Sequence, residues 1–398
     1  MSVDPGSQEI VIGEHVDNEL HTGTLCERLQ DESLGEGTIT LIIRDPNITI
    51  IGDINLGWDD REGAPLYGCR SLLRVDLKGC TNLTHLGDNV FWECSSLTSV
   101  TLPDGVTQLG DDVFYGCSSM TSVTLPDGLT QLGNDVFYGC SSLTSVALPD
   151  GVTQLGDYVF WECSSLTSVA LPDGLTQLGD YVFGDCSSLT SVALPDGLTQ
   201  LGDFVFSECS SLTSVSLPDG LTQLGDYVFQ DCSSLTSVSL PDRLTQLGGS
   251  VFNGCSSLTS VSLPDGVTQL GNYAFSRCSS LTSVALPDGL TQLGDSVFYG
   301  CDSLTSAANS AGFDTVELYL RDRYKCVTLR KLFLRLLGQY NQAVNEANGT
   351  EAEKHAIALA YFPTDNSSTL DVGLFLQTMN ASGGDGVKGL AGYILKFV

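Results

Sequence analysis

Residues Leu143 to Ser165 read LTSVALPDGVTQLGDYVFWECSS, and this unit of 23 residues decides the fold. Ten cysteine-bearing units of this pattern follow one another, and an irregular unit around Cys69 precedes them. A fixed period of this length is typical of stacked structural repeats. Because one unit cannot bury its apolar side chains alone, the pattern predicts a solenoid in which each coil packs against its neighbours.

Within the unit, the alternation of apolar and small polar residues in LTSVAL predicts a short strand. Val146 then points inward, and Ser145 and Ala147 point outward. The following PDG predicts a turn, since Pro fixes φ and Asp accepts hydrogen bonds from nearby backbone N–H groups. VTQLG returns the chain along the far side of the coil, and the Val159-Phe160 pair faces the interior.

This pattern resembles the BspA-like class of leucine-rich repeats, which place a Pro after the strand, then a Leu-Gly pair, a Val-Phe pair and a Cys. The match covers roughly residues 66–306. The resemblance implies an α/β leucine-rich-repeat solenoid, with a parallel β-sheet on one face and short strands and turns on the other. It also implies binding as the usual role.

The ends of the chain do not repeat, and they predict three domains. We expect an N-terminal cap over residues 1–65, the solenoid over 66–306 and a small C-terminal α-helical domain over 307–398. Asp314 and Glu317 form a capping box that predicts a helix start in the last of these. The tail also carries a basic cluster, which reads as a solvated helix face or as a contact for an acidic surface. Its members are Arg321, Arg323, Lys325, Arg330, Lys331 and Arg335.

Cysteine recurs once per coil, and no CxxC motif is present. Neighbouring strands lie about 4.7–4.9 Å apart, whereas disulfides prefer Cβ separations of about 3.5–4.5 Å. The spacing therefore favours a column of reduced, buried thiols over a disulfide scaffold or a metal site. The column comprises Cys94, Cys117, Cys140, Cys163, Cys186, Cys209, Cys232, Cys255, Cys278 and Cys301.

The Gly of the LGD segment is present in all ten units, from Gly87 to Gly294. Such uniformity predicts either a positive φ or a backbone contact too close for a Cβ. The Gly of PDG differs, because one unit carries Arg243 there, so we expect that position to accept a side chain.

The net charge of the chain indicates which classes of binding partner are favoured. The chain has 48 acidic and 17 basic residues and a formal net charge of −31. Residues 81–306 alone hold 24 acidic and 2 basic residues, a net −22. Binding of nucleic acid or of anionic lipid needs a basic face, so the sequence predicts neither. A neutral aromatic or basic partner fits better, with binding that weakens as salt is added.

The units differ mainly at positions that flank the buried Val-Phe pair, and many of these positions are aromatic. We predict an outward-facing aromatic and acidic edge that binds a protein or peptide partner, since Tyr and Trp are enriched at interface hot spots. Neutral drift, or packing over neighbouring coils, is the alternative interpretation. The candidate residues are Trp92, Tyr115, Tyr138, Tyr158, Trp161, Tyr181, Phe204, Tyr227, Tyr273 and Tyr299.

A column of carboxylates follows the strand prolines. Aligned Asp side chains repel one another by roughly 1 kcal/mol per pair in water. We expect hydrogen bonds to the turn backbone, with solvent screening the remainder; the alternative is Ca²⁺ between adjacent turns, which needs six to eight oxygens. The column contains Asp104, Asp127, Asp150, Asp173, Asp196, Asp219, Asp242, Asp265 and Asp288.

No P-loop, GxGxxG or GxSxG motif is present, and only four histidines occur. We therefore predict a non-enzymatic scaffold without a cofactor. The N-terminus lacks a secretory pattern and no apolar stretch is long enough to span a membrane, which predicts an intracellular, cytoplasmic location. The alternatives are a cell-surface adhesin or structural protein, or calcium-dependent assembly through the Asp column; self-association is compatible with each.

Overall fold

The computed structural model describes residues 7–12, 19–20, 38–43, 50–51 and 68–320. In this part of the chain the repeats form a solenoid of about ten coils, built on two ladders of short parallel strands. The register between neighbouring coils is one whole repeat, so that Val146 lies opposite Val169 and Leu155 opposite Leu178. The predicted leucine-rich-repeat solenoid is confirmed.

The first ladder is formed by the head of each repeat. Its three-residue strands bury the central Val and expose the flanking residues, as in Ser145–Ala147. In the coil that carries Met120 the strand shortens to a single bridge between Thr101 and Thr124. The strands are Leu72–Asp76, Ser99–Thr101, Ser145–Ala147, Ser168–Ala170, Ser191–Ala193, Ser214–Ser216, Ser237–Ser239, Ser260–Ser262 and Ser283–Ala285.

The second ladder is formed by the Gln-Leu pairs. Its Leu side chains face the interior and most of its Gln side chains face solvent. The strands are His85–Leu86, Gln108–Leu109, Gln131–Leu132, Gln154–Leu155, Gln177–Leu178, Gln200–Leu201, Gln223–Leu224, Gln246–Leu247, Gln269–Leu270 and Gln292–Leu293.

The core is a set of columns that run from coil to coil. The Phe rings from Phe91 to Phe298 stack with centroid distances of 5.4–5.9 Å and are almost completely buried. The predicted inward positions Val146, Val159 and Phe160 are all buried. Because each ring packs against the equivalent ring of the next coil, the core of every coil is completed by the coils beside it.

The invariant glycine of LGD marks a close approach between coils. A Cβ on Gly179 would lie 2.6 Å from the carbonyl oxygen of Gly156, whereas a Cβ on Gly174 would meet nothing closer than 3.5 Å. Of the two predicted explanations, the backbone contact is therefore correct and the positive φ is not. The side chain of Arg243 fits the Gly174-type position, as expected.

Strands also occur before the first described coil. Ser7–Ile12 and Thr38–Ile43 pair in parallel and continue the first ladder, and Glu19–Leu20 and Ile50–Ile51 continue the second. The residues between these strands lie outside the described part. The N-terminal segment therefore adds two strands to each ladder.

At the other end, a helix covers Asp302–Ser310 and buries Leu304 and Ala308. It begins five residues before the predicted boundary at 307, because the last coil passes into the helix directly after Cys301. Helical backbone begins again at Val316, next to the predicted capping box. The chain divides into compact units Met1–Glu317 and Leu318–Val398. The basic cluster and the predicted later helices lie outside the described residues.

Candidate binding surface

Each coil contains two backbone positions with positive φ, and both belong to the candidate edge. In the coil of Tyr158, φ is 57° at Tyr158 and 58° at Glu162. Gly, Asn and Asp adopt this conformation most readily, and other residues lose roughly 1–2 kcal/mol each. The residue types found in other coils agree with this preference. Asp112 and Asp135 occupy the first position, and Gly116 and Gly139 occupy the second.

Five coils place a bulky aromatic residue at the first of these left-handed positions. A bulky residue with positive φ is an outlier that needs compensation from its surroundings. The stacking of each ring on the ring of the adjacent coil provides this compensation in all but Tyr273. The five residues are Tyr158, Tyr181, Phe204, Tyr227 and Tyr273.

Eight of the ten predicted residues come together in one continuous series of ring contacts, which we call the aromatic ladder; all of these contacts are stacked except the tilted pair of Tyr138 and Trp161. The rings of Tyr181 and Phe204 are 4.2 Å apart, and those of Phe204 and Tyr227 are 4.3 Å apart, within 7° of parallel. Trp161 joins the two columns of the edge, because it stacks on both Tyr158 and Tyr181. The ladder comprises Trp92, Tyr115, Tyr138, Tyr158, Trp161, Tyr181, Phe204 and Tyr227.

Exposure differs along the edge. Trp92 is buried, and the other rings of the aromatic ladder are half-buried because their faces are covered by one another. Tyr273 and Tyr299 lie beyond the ladder and are 45% and 66% exposed. The ladder therefore offers ring edges and hydroxyl groups to solvent, while Tyr273 and Tyr299 also offer ring faces.

The tyrosine hydroxyls of the ladder lie among carboxylates. The hydroxyl of Tyr138 donates to Oε1 of Glu162 at 3.2 Å. Burial, and then the charge of Glu162, raise the pKa of Tyr138 well above its usual value. Burial also raises the pKa of Tyr115, Tyr158 and Tyr181. These hydroxyls therefore remain protonated donors on an acidic surface.

A groove runs along the exposed side of the Gln-Leu ladder, beside the aromatic ladder. One part, of about 400 Å³, is lined by Gln154, Gln177, Gln200, Asp157 and Asp180 among others. A second part is about 850 Å³ and includes Tyr227 and Tyr273 in its walls. The groove was not predicted from the sequence, because the Gln-Leu pairs that form much of its lining are the same in almost every coil.

The Asp of LGD has a structural role that explains its position beside the groove. The N–H of Asp180 donates to Oδ1 of Asp157 at 2.8 Å, and the N–H of Asp203 donates to Oδ1 of Asp180 at 2.7 Å. Asn134 has the same role in its coil, because its Oδ1 accepts a hydrogen bond from the N–H of Asp157 at 2.8 Å. This amide–carboxylate ladder connects successive coils at their closest approach.

The carboxylates of the PDG segments differ from those of LGD in their surroundings. All nine residues from Asp104 to Asp288 are exposed to water, and the expected hydrogen bonds to the turn backbone are not formed in the described structure. Water solvates these groups and screens their repulsion, which is weak at a high dielectric constant. Among the described residues, no group of three or more His, Cys, Asp or Glu side chains is placed to hold a metal ion.

The cysteine column contains no exposed nucleophile. Its ten cysteines are buried, and none of them forms a disulfide. The Sγ–H of Cys186 donates to the carbonyl oxygen of Phe160 in the preceding coil at 3.1 Å, and the other thiols from Cys117 to Cys301 repeat this bond. Burial raises the pKa of each of these thiols. Inert thiols of this kind stabilise the core and do not attack substrates.

Among the described residues, none of the helices combines the length and the apolar character needed to cross a membrane. This finding bears on the described part of the chain alone.

Comparison with known proteins identifies the repeat. The model of the "BspA type Leucine rich repeat region" matches residues 84–211 and 199–320, in six copies. Comparison with curated proteins gives no match.

Three solved structures resemble the chain. The Treponema pallidum (T. pallidum) leucine-rich repeat protein is 34% identical over 40% of this chain and 78% of its own, with a TM-score of 0.39. A leucine-rich repeat protein from Bacteroides ovatus is 26% identical over 65% of this chain and 81% of its own, with a TM-score of 0.38. A leucine-rich cell surface protein from Faecalibacterium prausnitzii is 26% identical over 64% and 81%, with a TM-score of 0.39.

The matched segments span more than half of the sequence and coincide with the coils described above. Leucine-rich-repeat solenoids commonly serve as surface or interaction scaffolds and are typically non-enzymatic. The chain belongs to the BspA-type leucine-rich repeat family.

Proposed function

We propose that the chain is a non-enzymatic scaffold that binds a protein or peptide partner at the aromatic edge, which comprises the aromatic ladder with Tyr273 and Tyr299 beyond it, and at the adjoining groove. The observation that supports this most strongly is the repeated use of bulky aromatic residues at left-handed backbone positions. Asp or Ser takes the same positions in other coils, so the fold does not require a ring there. Outliers of this kind concentrate at functional sites.

The outer face of the first ladder supports the assignment by contrast. From Ser99 to Ala285 its outward residues are Ser, Thr and Ala, as in Ser260–Ser262, and they offer a partner no large side chain. Binding energy at protein interfaces comes mainly from buried aromatic and Arg anchors. The edge holds aromatic anchors, and this part of the strand face does not.

The net charge of −22 between residues 81 and 306 indicates which charge the partner should carry. A basic or neutral partner approaches this surface favourably, and a polyanion such as nucleic acid is repelled. We therefore expect an association rate that falls as the salt concentration rises.

Quantitative affinity capture tests the proposal. Tyr273→Ser with Tyr299→Ser removes the two most exposed rings and installs a residue that other coils carry there, as in Ser250 and Ser276. Ser262→Ala is the matched control, because Ala170 holds that place on the strand face. Partners bound by the wild type and the control should be lost from the double variant, with unchanged circular dichroism. Equal capture by all three proteins would contradict the proposal.

The alternative function, a cell-surface adhesin or structural protein, stays a prediction. It differs from the proposed scaffold in its location, and it would use the same aromatic edge. Protease treatment of intact cells of the source organism distinguishes the two. Loss of the full-length protein, with a cytoplasmic marker preserved, would favour the surface role.

A further inference from the structure

One basic side chain interrupts the acidic character of the aromatic edge. Residues 81–306 contain two basic residues, and Arg277 is the one that lies on this edge. The equivalent position is acidic in four successive earlier coils and is Gly in the two coils that adjoin Arg277. These residues are Glu162, Asp185, Glu208 and Asp231, and Gly254 and Gly300. The charge along this column therefore changes sign at a single coil.

The backbone of Arg277 does not favour a long side chain. Its φ is 60°, and Gly254 and Gly300 have φ of 77° and 73° at the same position. Gly adopts this left-handed conformation more readily than a residue with a Cβ. Because Gly occupies the position in both adjacent coils, the fold does not require a side chain there. A side chain that strains the backbone without serving the fold suggests a role in contact with a ligand.

The guanidinium group of Arg277 has no partner within the described part of the chain. The residue is exposed, and among the described residues it forms no ion pair and no side-chain hydrogen bond. A Cβ on Gly300 would lie 3.5 Å from Cγ of Arg277, so the aliphatic part of the side chain rests over bare backbone. The five N–H donors of the guanidinium group are therefore available to a ligand.

The two most exposed rings of the aromatic edge belong to the same place. The N–H of Arg277 donates to the carbonyl oxygen of Tyr299 in the next coil at 2.6 Å. The N–H of Ser276 donates to the carbonyl oxygen of Tyr273 at 2.9 Å, so Tyr273 begins the turn that Arg277 follows. Tyr273 is 45% exposed and Tyr299 is 66% exposed. Tyr and Arg are, with Trp, the residue types most enriched at interface hot spots.

We infer that Arg277 binds a carboxylate of the peptide partner, while apolar groups beside that carboxylate contact Tyr273 and Tyr299. This inference rests on the proposed function and specifies its anchor. A guanidinium group matches a carboxylate through two parallel hydrogen bonds. A phosphate group carries about −1.5 to −2 charges, so the acidic coils oppose it more strongly than a singly charged carboxylate. The expected segment thus combines one carboxylate with aromatic and basic residues.

The chain offers a matched pair of variants. Arg277→Gly removes the guanidinium group from the aromatic edge, and Arg243→Gly removes the other basic residue of the solenoid from a PDG-type turn. Each variant loses one positive charge and gains the Gly that neighbouring coils carry at that position. Both should keep the circular dichroism and the melting temperature of the wild type, because Gly accepts both backbone conformations.

The probes are the peptides acetyl-Lys-Phe-X-Phe-Lys-amide with X as Glu or Gln, and the Gln peptide with a free C-terminal carboxylate. Affinity for the full chain is measured by titration with saturation-transfer detection. We expect wild type and Arg243→Gly to bind the Glu peptide about threefold to fivefold more tightly than the Gln amide. Arg277→Gly should bind these two peptides equally. A preference for the free C-terminal carboxylate, lost in Arg277→Gly, would support the same site and assign it to a chain terminus.

Several outcomes would overturn the inference. They are absence of binding, equal binding of the three peptides by wild type, a carboxylate preference that survives Arg277→Gly, and a preference that Arg243→Gly abolishes as well. If wild type binds the peptides without preference, and Tyr273→Ser with Tyr299→Ser weakens them all, the aromatic edge binds as proposed and only the carboxylate contact is refuted. Failure of the proposed function is recognised separately, by equal partner capture in the affinity experiment.

Discussion

The column of buried cysteines makes the stability of the solenoid depend on alkaline pH. Burial raises the pKa of the thiols from Cys117 to Cys278 well above the ordinary 9.0, and it raises that of Cys301 to about 12. An unfolded chain releases these protons near pH 9, whereas the folded chain keeps them. The free energy of unfolding is therefore unaffected below pH 9 and falls as the pH rises above it.

The size of the effect follows from the number of thiols. Each pH unit above 9 lowers the free energy of unfolding by about 1.4 kcal/mol per buried thiol. Replacing Cys163, Cys186 and Cys209 by Ala removes about 4 kcal/mol of this loss at pH 10. At pH 7 the same variant loses three Sγ–H···O bonds of 3.1–3.2 Å and is less stable than the wild type. The two stability curves should therefore converge as the pH rises.

Urea unfolding followed by circular dichroism, from pH 7 to 10.5 with a phosphine reductant, measures this difference. The triple variant Thr176→Ala, Thr199→Ala, Thr245→Ala is the control, because it removes three hydrogen bonds between coils without removing a titrating group. It should keep the pH dependence of the wild type. The reasoning is refuted if the cysteine variant shows that same dependence, since other groups would then cause the alkaline loss.

Three further predictions concern the contacts between coils. Asp180→Ala should lower the free energy of unfolding by about 1 kcal/mol in urea melts, whereas Asp180→Asn should keep it, because Asn134 already accepts this bond in another coil. Gly179→Ala should cost about 1–3 kcal/mol through overlap with the adjacent backbone, and Gly174→Ala in the same coil should be nearly neutral. A chelator should leave the melting temperature unchanged, since the PDG carboxylates are solvated by water; a decrease would support the calcium alternative.

The repeat period was enough to predict the solenoid, because inward and outward positions are repeated in ten units. Ser145 and Ala147 are exposed and Val146 is buried, as the alternation in LTSVAL indicates. The cysteine spacing likewise predicted a buried, reduced column. These features depend on local pattern and on stacking in register, and both can be read from one chain.

Other features could not be predicted, because they depend on backbone geometry between coils. The left-handed conformation of Tyr158 has only an indirect signal, the Asp and Gly found at equivalent positions. Exposure of the aromatic edge was overestimated for Trp92, which is 8% exposed, since stacking between coils covers ring faces. The hydrogen bonds of the LGD carboxylates need the distance between coils, which the sequence does not contain.

The columns of side chains that run from coil to coil also explain where specificity arises in such a regular molecule. Thiols, carboxylates and rings each contact the equivalent group one repeat away, so a coil with the consensus sequence is stabilised by any neighbour of the same kind. Identical coils form a uniform surface, on which a ligand has many equivalent registers and no unique one. A departure from the consensus, as at Gly249 and Ser250, removes contacts between coils and distinguishes that coil from its neighbours. Specificity along the edge therefore depends on the positions at which the coils differ.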